Sequence, residues 1–479
     1  MTRLPAAVLP PLCTLLVIAS CDRVPERAVD HVEIDHAAMG HGDAPAQRTS
    51  PRLDPDADGN PRYDPRRPPE GVTGARADRR ILVVEQGSEF PTIASAVRAA
   101  APGTRIVVRP GLYREPTIRV DRPVTIQGEG YPVIDGEKER GLFLVEADGV
   151  RITGFELRDV GVAYVEDRAA IRVSGARDCE LDHNRIHGGF FAVYLAEATD
   201  CRVTDNEIVG KGSTETNSGN GIHAWHSKRI VVEGNTVHGH RDGIYFEFVD
   251  EGQVSHNHVT GSIRYGLHFM FSDGGRYEEN VFSDNGAGVA VMYTTDVTMR
   301  RNQFVSNRGS AAFGILLKEI GDSEIVDNLF ADNSVGLFAE GFDRTLVQGN
   351  RFVRNGRAIR LLSNSTGSRF EGNDFFGNTF DVTTNGRRVR STFVGNHWDE
   401  YRGYDRDEDG IGDVPHRPVR LFALVVERAP VTTIMLRSFF STVLDWTEYL
   451  VPSLTPANLT DTAPAMRSVA AGAPEGTDA

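Results

Sequence analysis

At 479 residues the chain is long enough for two or three compact domains or for one extended repeat array. Its 67 acidic against 52 basic side chains give a formal charge of -15, which argues against nucleic acid as a partner and favours cations. With 49 glycines and no run of 18 apolar residues, it reads as a turn-rich protein without a membrane-spanning body.

Residues 1–20 carry Arg3, an apolar run over residues 12–18 and small residues just before Cys21, the pattern of a removed export signal. Ile18-Ala19-Ser20-Cys21 also resembles the lipobox of bacterial lipoproteins, so Cys21 is expected to be lipidated; the alternative is ordinary secretory cleavage with a free Cys21. Acyl chains contributing ~0.8 kcal/mol per buried methylene would anchor the chain without a spanning helix. Asp22 resembles the signal that keeps such lipoproteins at the inner membrane.

Residues 21–79 read as a disordered tether. Seven prolines between Pro45 and Pro69 alternate with Asp and Arg, leaving almost nothing apolar to offset the entropy of ordering. Asp54, Asp56, Asp58 and Gly59 imitate part of a calcium loop, but the flanking prolines make composition the better explanation. Within the tether, His31, His36, Met39 and His41 concentrate imidazole and thioether donors, a set suited to copper. Incidental polar residues in a linker are the alternative.

From about residue 80 to 400 the chain repeats. Phe90 to Ala100 predicts a short capping helix, an opening that resembles pectate-lyase-like β-helices. Asparagine then recurs in one frame at 184, 206, 235, 257, 280, 302, 328, 350, 373 and 396, with a basic spacing of 22 or 23 residues and two insertions. Short period-2 apolar runs at that spacing predict an all-β, right-handed parallel β-helix of about 22 residues per coil. The asparagines are expected to sit in left-handed turns and bond from coil to coil. Ile222, Ile244, Leu267, Val289, Ile315, Leu337 and Ile359 should form one inward aliphatic stack, each burial contributing ~1.5 to 3 kcal/mol. Cys179 and Cys201, 22 residues apart, fall at the same inward position; a disulfide and a reduced core pair are both open.

Strand alternation then fixes the outward neighbours. One column runs through His223, Tyr245, His268 and Ala290, the next through Trp225, Glu247, Met270, Met292, Lys318 and Glu340. Thioethers beside an imidazole are ligands for Cu(I), so His268, Met270 and Met292 are a candidate copper site that His223 and Glu247 could supplement. A hydrophobic strip covered by a loop or a partner is the competing reading. Arg241 and Asp242, with Arg264 one coil on, are expected to pair between coils. The enzymatic alternative, a carbohydrate-binding or carbohydrate-cleaving β-helix, would draw on Asp242, Glu247 and Glu340. Glu247 and Glu340 lie four coils apart, roughly 19 Å, too far for a hydrolytic pair.

Residues 401–420 contain Asp405, Asp407, Asp409, Gly410 and Asp413, with the Ile411 carbonyl at the seventh position, the oxygen-ligand spacing of a calcium loop. His416 stands where such a loop has its bidentate Glu, so an acidic surface turn is the alternative. In the 421–479 tail, Met435, Phe439, Val443, Trp446 and Leu450 share one helical face, predicting an amphipathic helix that caps the stack or docks on a partner.

Several motifs resemble one family. Arg241 to Phe246, Arg264 to Ser272, Gly288 to Tyr293, Gly314 to Lys318, Asp409 to Pro415 and the tail from Val451 to Met466 are similar to NosD, the periplasmic maturation protein of nitrous oxide reductase. The resemblance spans roughly residues 80 to 467. It implies a non-enzymatic copper-delivery platform in the periplasm, transiently holding Cu(I). The implied partners are an ABC transporter permease and ATPase, a copper-chaperone lipoprotein, and nitrous oxide reductase itself. The lipobox and the His/Met tether depart from that family's usual ordinary export signal, which leaves open a paralogue serving another copper protein.

Overall fold

The computed structural model describes residues 81–469, apart from 163–166, 213, 215–217, 310, 387–389, 437, 452–454 and 456–458. The export signal, Cys21 and the tether with His31, His36, Met39 and His41 lie outside the described residues.

Among the described residues the strands form three parallel sheets of 14, 12 and 13 strands, each strand bonded to its counterparts one coil before and after. Val231–Glu233, Thr236–His238 and Asp242–Asp250 make one coil, visiting the first, second and third faces in turn. This is the parallel β-helix that the 22-residue period predicts. Most first- and second-face strands are three residues long because only their middle side chain reaches the core, as in Val231–Glu233 with Val232 buried.

The inward aliphatic stack is as expected: Ile222, Ile244, Leu267, Val289, Ile315, Leu337 and Ile359 pair in register. A second stack, Phe282, Phe304, Phe330, Phe352, Phe375 and Trp398, fills the second face with ring centroids 4.1 to 5.8 Å apart.

The asparagine column forms, with one correction. Each side-chain amide donates to the next asparagine's Oδ1, for example Asn280 Nδ2 to Asn302 at 3.0 Å. The left-handed conformation, however, belongs to the residue before each asparagine: His183, Asp205, His256, Glu279, Arg301 and Asp327 have φ of 53° to 57°. The amide is needed inside, where its oxygen receives both the backbone N–H and the Nδ2 of the asparagine before it. The tight bend therefore falls on the preceding residue, whose side chain is exposed. Five residues on, Asn285, Asn307, Asn333, Asn355 and Asn378 build a second column that the frame had not revealed.

Cys179 and Cys201 stack as free buried thiols, the Cys179 N–H donating to Cys201 Sγ at 3.4 Å. The hydrogen bond with Cys201, together with burial, pushes the Cys179 thiol up, so it stays protonated.

Both ends are closed. Helix α1 (Ile93–Ala99) starts at Thr92, whose side chain accepts from Ser95 N, and Glu115 accepts from the Ile93 and Ala94 N–H groups. At the far end, helix α2 (Leu421–Arg428) seats Phe422, Ala423 and Val426 against Phe380. Asp461 supplies the last rung of the asparagine column, accepting from Asn396 N and Nδ2 and from Trp398 Nε1. The predicted amphipathic helix is α3 (Phe439–Leu450), with Met435 in the preceding 3₁₀ turn (Pro430–Met435). It does not bury its face: Phe439 is 84%, Trp446 73% and Leu450 75% exposed, so capping falls to α2 and the tail.

Asp381, in the last third-face strand, has its carboxyl pushed up to about 7 by burial and by the nearby Asp399. Its folded value exceeds the unfolded 3.8, so its contribution is fully present below about pH 4 and lost as pH rises through 7. Asp381→Asn is expected to stabilise the chain by about 1 to 2 kcal/mol at pH 8 and less at pH 5. Thermal midpoints of both chains at the two pH values check this; a difference independent of pH would contradict it.

Candidate copper site on the third face

Strand register confirms the two outward columns of the third face. Tyr194, His223, Tyr245, His268 and Ala290 follow one another, as do Ala196, Trp225, Glu247, Met270, Met292, Lys318 and Glu340. Met270 and Met292 are therefore direct neighbours on adjacent coils. The partner of His268 on the following coil is Ala290, which packs in one cluster with Met270 and Met292.

These outward residues are not solvated. His268 is 3%, Met270 2% and Met292 7% exposed, and with Tyr245, Tyr265 and Leu316 the methionines form an apolar cluster outside the solenoid core. The hydrophobic strip and the donor set are thus the same surface. Tyr245 and Tyr265 hold the His268 ring at centroid distances of 4.7 and 4.9 Å. The Tyr245 hydroxyl donates to Met270 Sδ at 3.5 Å.

Neither ring nitrogen of His268 has a hydrogen-bond partner among the described residues. An orphaned buried polar atom costs about 1 to 3 kcal/mol, so a bound water or ligand at either nitrogen would be stabilising. Burial first, then the positive charge of Arg264 and Arg241, holds this imidazole well below its ordinary value. It is neutral at any physiological pH, the form that offers a lone pair to a metal. Two thioethers and a neutral imidazole fit a soft monovalent copper ion.

The proposed supplements divide. Glu247 lies beside Met270 in register and is 7% exposed. His223 is screened from His268 by the Tyr245 ring, which contacts each imidazole, and its Nδ1 faces Asn220 Nδ2 at 3.4 Å. Burial brings His223 down to about 3. Arg241 and Asp242 approach within their own turn at 3.4 Å, and Asp242 is also reached from the next coil, by the Tyr265 N–H at 3.3 Å and by the positive charge of Arg264. Asp242 is completely buried, which removes it from any open groove.

Sequence reasoning missed the unsatisfied polar groups in the turns leading into this face. Ser218 Oγ, Asn220 Oδ1, His240 Nε2 and Ser262 Oγ are all buried without a partner among the described residues. The available signal was the polar content of residues 218–223 and 240–242, set against the apolar strands on either side.

At the calcium-like loop, carboxylate oxygens of Asp405, Asp407 and Asp409 come within 4.8 Å of one another. Asp413 closes the same loop, its Oδ2 accepting from Arg406 N at 2.8 Å, and Ile411 pairs with Ala465 of the tail. His416, in the twelfth position, packs against Trp398.

Comparison with known proteins bears on this face. The family described as "Periplasmic copper-binding protein (NosD)" matches residues 204–403, which include His268, Met270 and Met292. A protein from Pseudomonas aeruginosa named "Probable ABC transporter binding protein NosD" is 29% identical over 380 residues, 74% of this chain and 86% of that protein. Its namesake from Stutzerimonas stutzeri is 27% identical over 368 residues, covering 73% and 84%. Among solved structures, the catalytic unit of a GH87 alpha-1,3-glucanase from Streptomyces thermodiastaticus superposes with a TM-score of 0.52 at 15% identity, over 68% of this chain and 70% of that one. That likeness concerns the fold alone.

Proposed function

Since the chain belongs to the NosD family of periplasmic copper-binding proteins, we propose that it is a non-enzymatic platform that takes up Cu(I) at His268, Met270 and Met292 and passes it on during maturation of nitrous oxide reductase. The observation that carries this reading is the buried, neutral His268, whose two nitrogens have no partner among the described residues, beside a registered pair of thioethers.

Neutral, soft donors suit transient custody. They select Cu(I) without neutralising its charge, so a client offering thiolates or more imidazoles can draw the ion away. Tyr245 tunes this: its hydroxyl donates to Met270 Sδ, holding the thioether in place and drawing electron density from the sulfur. The His31, His36, Met39 and His41 segment would add a second store of the same chemistry, and Cys21 a lipid anchor at the inner membrane. Partner roles follow the same logic. An ABC transporter permease would meet the exposed face of α3, a copper-chaperone lipoprotein would supply the ion, and calcium at Asp405, Asp407 and Asp409 would brace the turn that pairs with the tail. No described helix is long and apolar enough to cross a membrane.

The test is an anaerobic Cu(I) competition titration of the full mature chain, with His31, His36, Met39 and His41 replaced by serine so that the tether contributes nothing. On that background H268A/M270L/M292L is expected to lower affinity by about 100-fold or more. Equal affinity of the two chains would exclude the third-face site.

A further inference from the structure

One exposed feature beside this site has no use in the reading above. At the corner that ends the third face, His226, Phe248, Phe271 and Tyr293 stack on successive coils, with centroids 4.6, 5.1 and 5.2 Å apart and planes within 15°. Phe248, Phe271 and Tyr293 are 39%, 39% and 42% exposed. All four also have left-handed backbones, φ 45° to 55°, a region that bulky side chains seldom occupy. The equivalent corners of neighbouring coils hold Glu197, Glu319 and Gly341, residues that suit an exposed bend. Large aromatics therefore stand here against both solvation and backbone preference, and such outliers cluster at functional places.

The geometry limits what can bind. The rings cover one another's faces and turn their edges outward, so a sugar ring, which packs on an open aromatic face, finds none along the middle of the ladder. Ring edges instead suit aliphatic groups and thioether sulfur. The surrounding charge is predominantly acidic: Asp250, Glu251, Asp273, Asp296 and Glu319 are exposed beside the ladder, against Lys318 and two bases already paired, Lys228 with Glu251 at 2.8 Å and Arg229 with Asp200 at 2.6 Å. An anionic bilayer and a second copy of this rim are both repelled by it. The Phe248, Phe271 and Tyr293 rungs are 5.1 and 5.2 Å apart, close to the ~5.4 Å pitch of an α-helix, while the His226 rung sits closer at 4.6 Å. Side chains at i, i+3 or i+4, and i+7 of a helix laid along the solenoid axis would thus meet successive rungs.

We infer that this ladder is the docking rail for an amphipathic α-helix of a partner protein, with leucine and methionine along its centre and lysine or arginine on its flanks. Glu247, Met270 and Met292 directly precede Phe248, Phe271 and Tyr293 in the chain, so a helix on the rail lies alongside the thioether pair. That consequence rests on the copper reading; the rail itself does not.

The test uses the full mature chain and F248N/F271N/Y293N, because asparagine tolerates the left-handed bend. The probes are two labelled helical peptides of about 20 residues with the same leucine and methionine stripe, one flanked by lysine and one by glutamate. The lysine-flanked peptide is expected to bind the native chain. Its affinity should fall about tenfold or more in the replaced chain, and also on raising salt from about 50 to about 300 mM. The replaced chain should keep its Cu(I) affinity and its thermal midpoint. Equal binding by both chains, equal binding of both peptides, or a midpoint lowered by several degrees would overturn the inference, the last by making the rungs structural packing. Because Cu(I) affinity is read separately, failure of the copper site would leave the peptide result standing.

Discussion

Replacing Asn302 with alanine is expected to destabilise the chain by about 3 to 6 kcal/mol. Asn302 Oδ1 receives both the backbone N–H and the Nδ2 of Asn280, while its own Nδ2 donates to Tyr277 O and Asn328 Oδ1. Truncation leaves the Asn280 backbone N–H without its acceptor and removes one hydrogen bond each from Asn280 Nδ2, which keeps the Val254 carbonyl, and from the Tyr277 carbonyl, in a corner where the side chain is 1% exposed. Such an orphan costs about 1 to 3 kcal/mol, and the lost bonds add to it. The substitution also acts at one level of a quasi-one-dimensional stack, where coils contact only their neighbours. Denaturant unfolding followed by circular dichroism should therefore change shape as well as midpoint, with a single transition splitting into two. A loss below about 1 kcal/mol would mean that water satisfies the column as well as amides do.

A comparable effect, with a functional readout, is expected for Gly266→Ala. Gly221, Gly243, Gly266, Gly288, Gly314 and Gly336 form a column at the entry to the third face. A Cβ on Gly266 would lie 2.7 Å from the Gly288 carbonyl oxygen, 2.9 Å from Asn285 Nδ2 and 2.9 Å from the Phe282 ring. None of these can retreat, because the carbonyl belongs to the next strand and the amide to the second asparagine column. Overpacking of this kind costs about 1 to 3 kcal/mol or more. Leu267 and His268 follow immediately, so the displaced strand carries the imidazole with it. Cu(I) affinity is expected to fall about tenfold in the same protein, read by competition titration. Lost stability with unchanged affinity would show that His268 moves independently of its strand or binds no copper.

Much of this was legible before any coordinates. A 22-residue period multiplied by a two-residue alternation fixes both the coil and the side of the sheet for each residue, which is why Met270 and Met292 could be placed together by counting alone. The same arithmetic gave the inward stack from Ile222 to Ile359. It failed where contacts are not periodic. Asp461 completes the asparagine column from 65 residues beyond Asn396, and nothing in the repeat announces an aspartate in that role. Burial of the outward column was also hidden, because alternation specifies direction but not what neighbours do with it; Tyr245 and Tyr265 enclose His268 only once coils are stacked. The role of the α3 face stayed open for the opposite reason: its apolar stripe was plain, but sequence does not say whether an amphipathic helix finds its partner within its own chain.

Met292 and the strand Phe380–Thr383, on which α2 rests, are four coil rises apart along the third face. At ~4.8 Å per rise that is about 19 Å, held by hydrogen bonds on all three faces rather than by a linker. The solenoid is thus a gauge block: it sets the offset between the donor pair and the C-terminal helices to a whole number of coils. A body engaging both ends must match that length, and the offset can be lengthened or shortened only in steps of one coil.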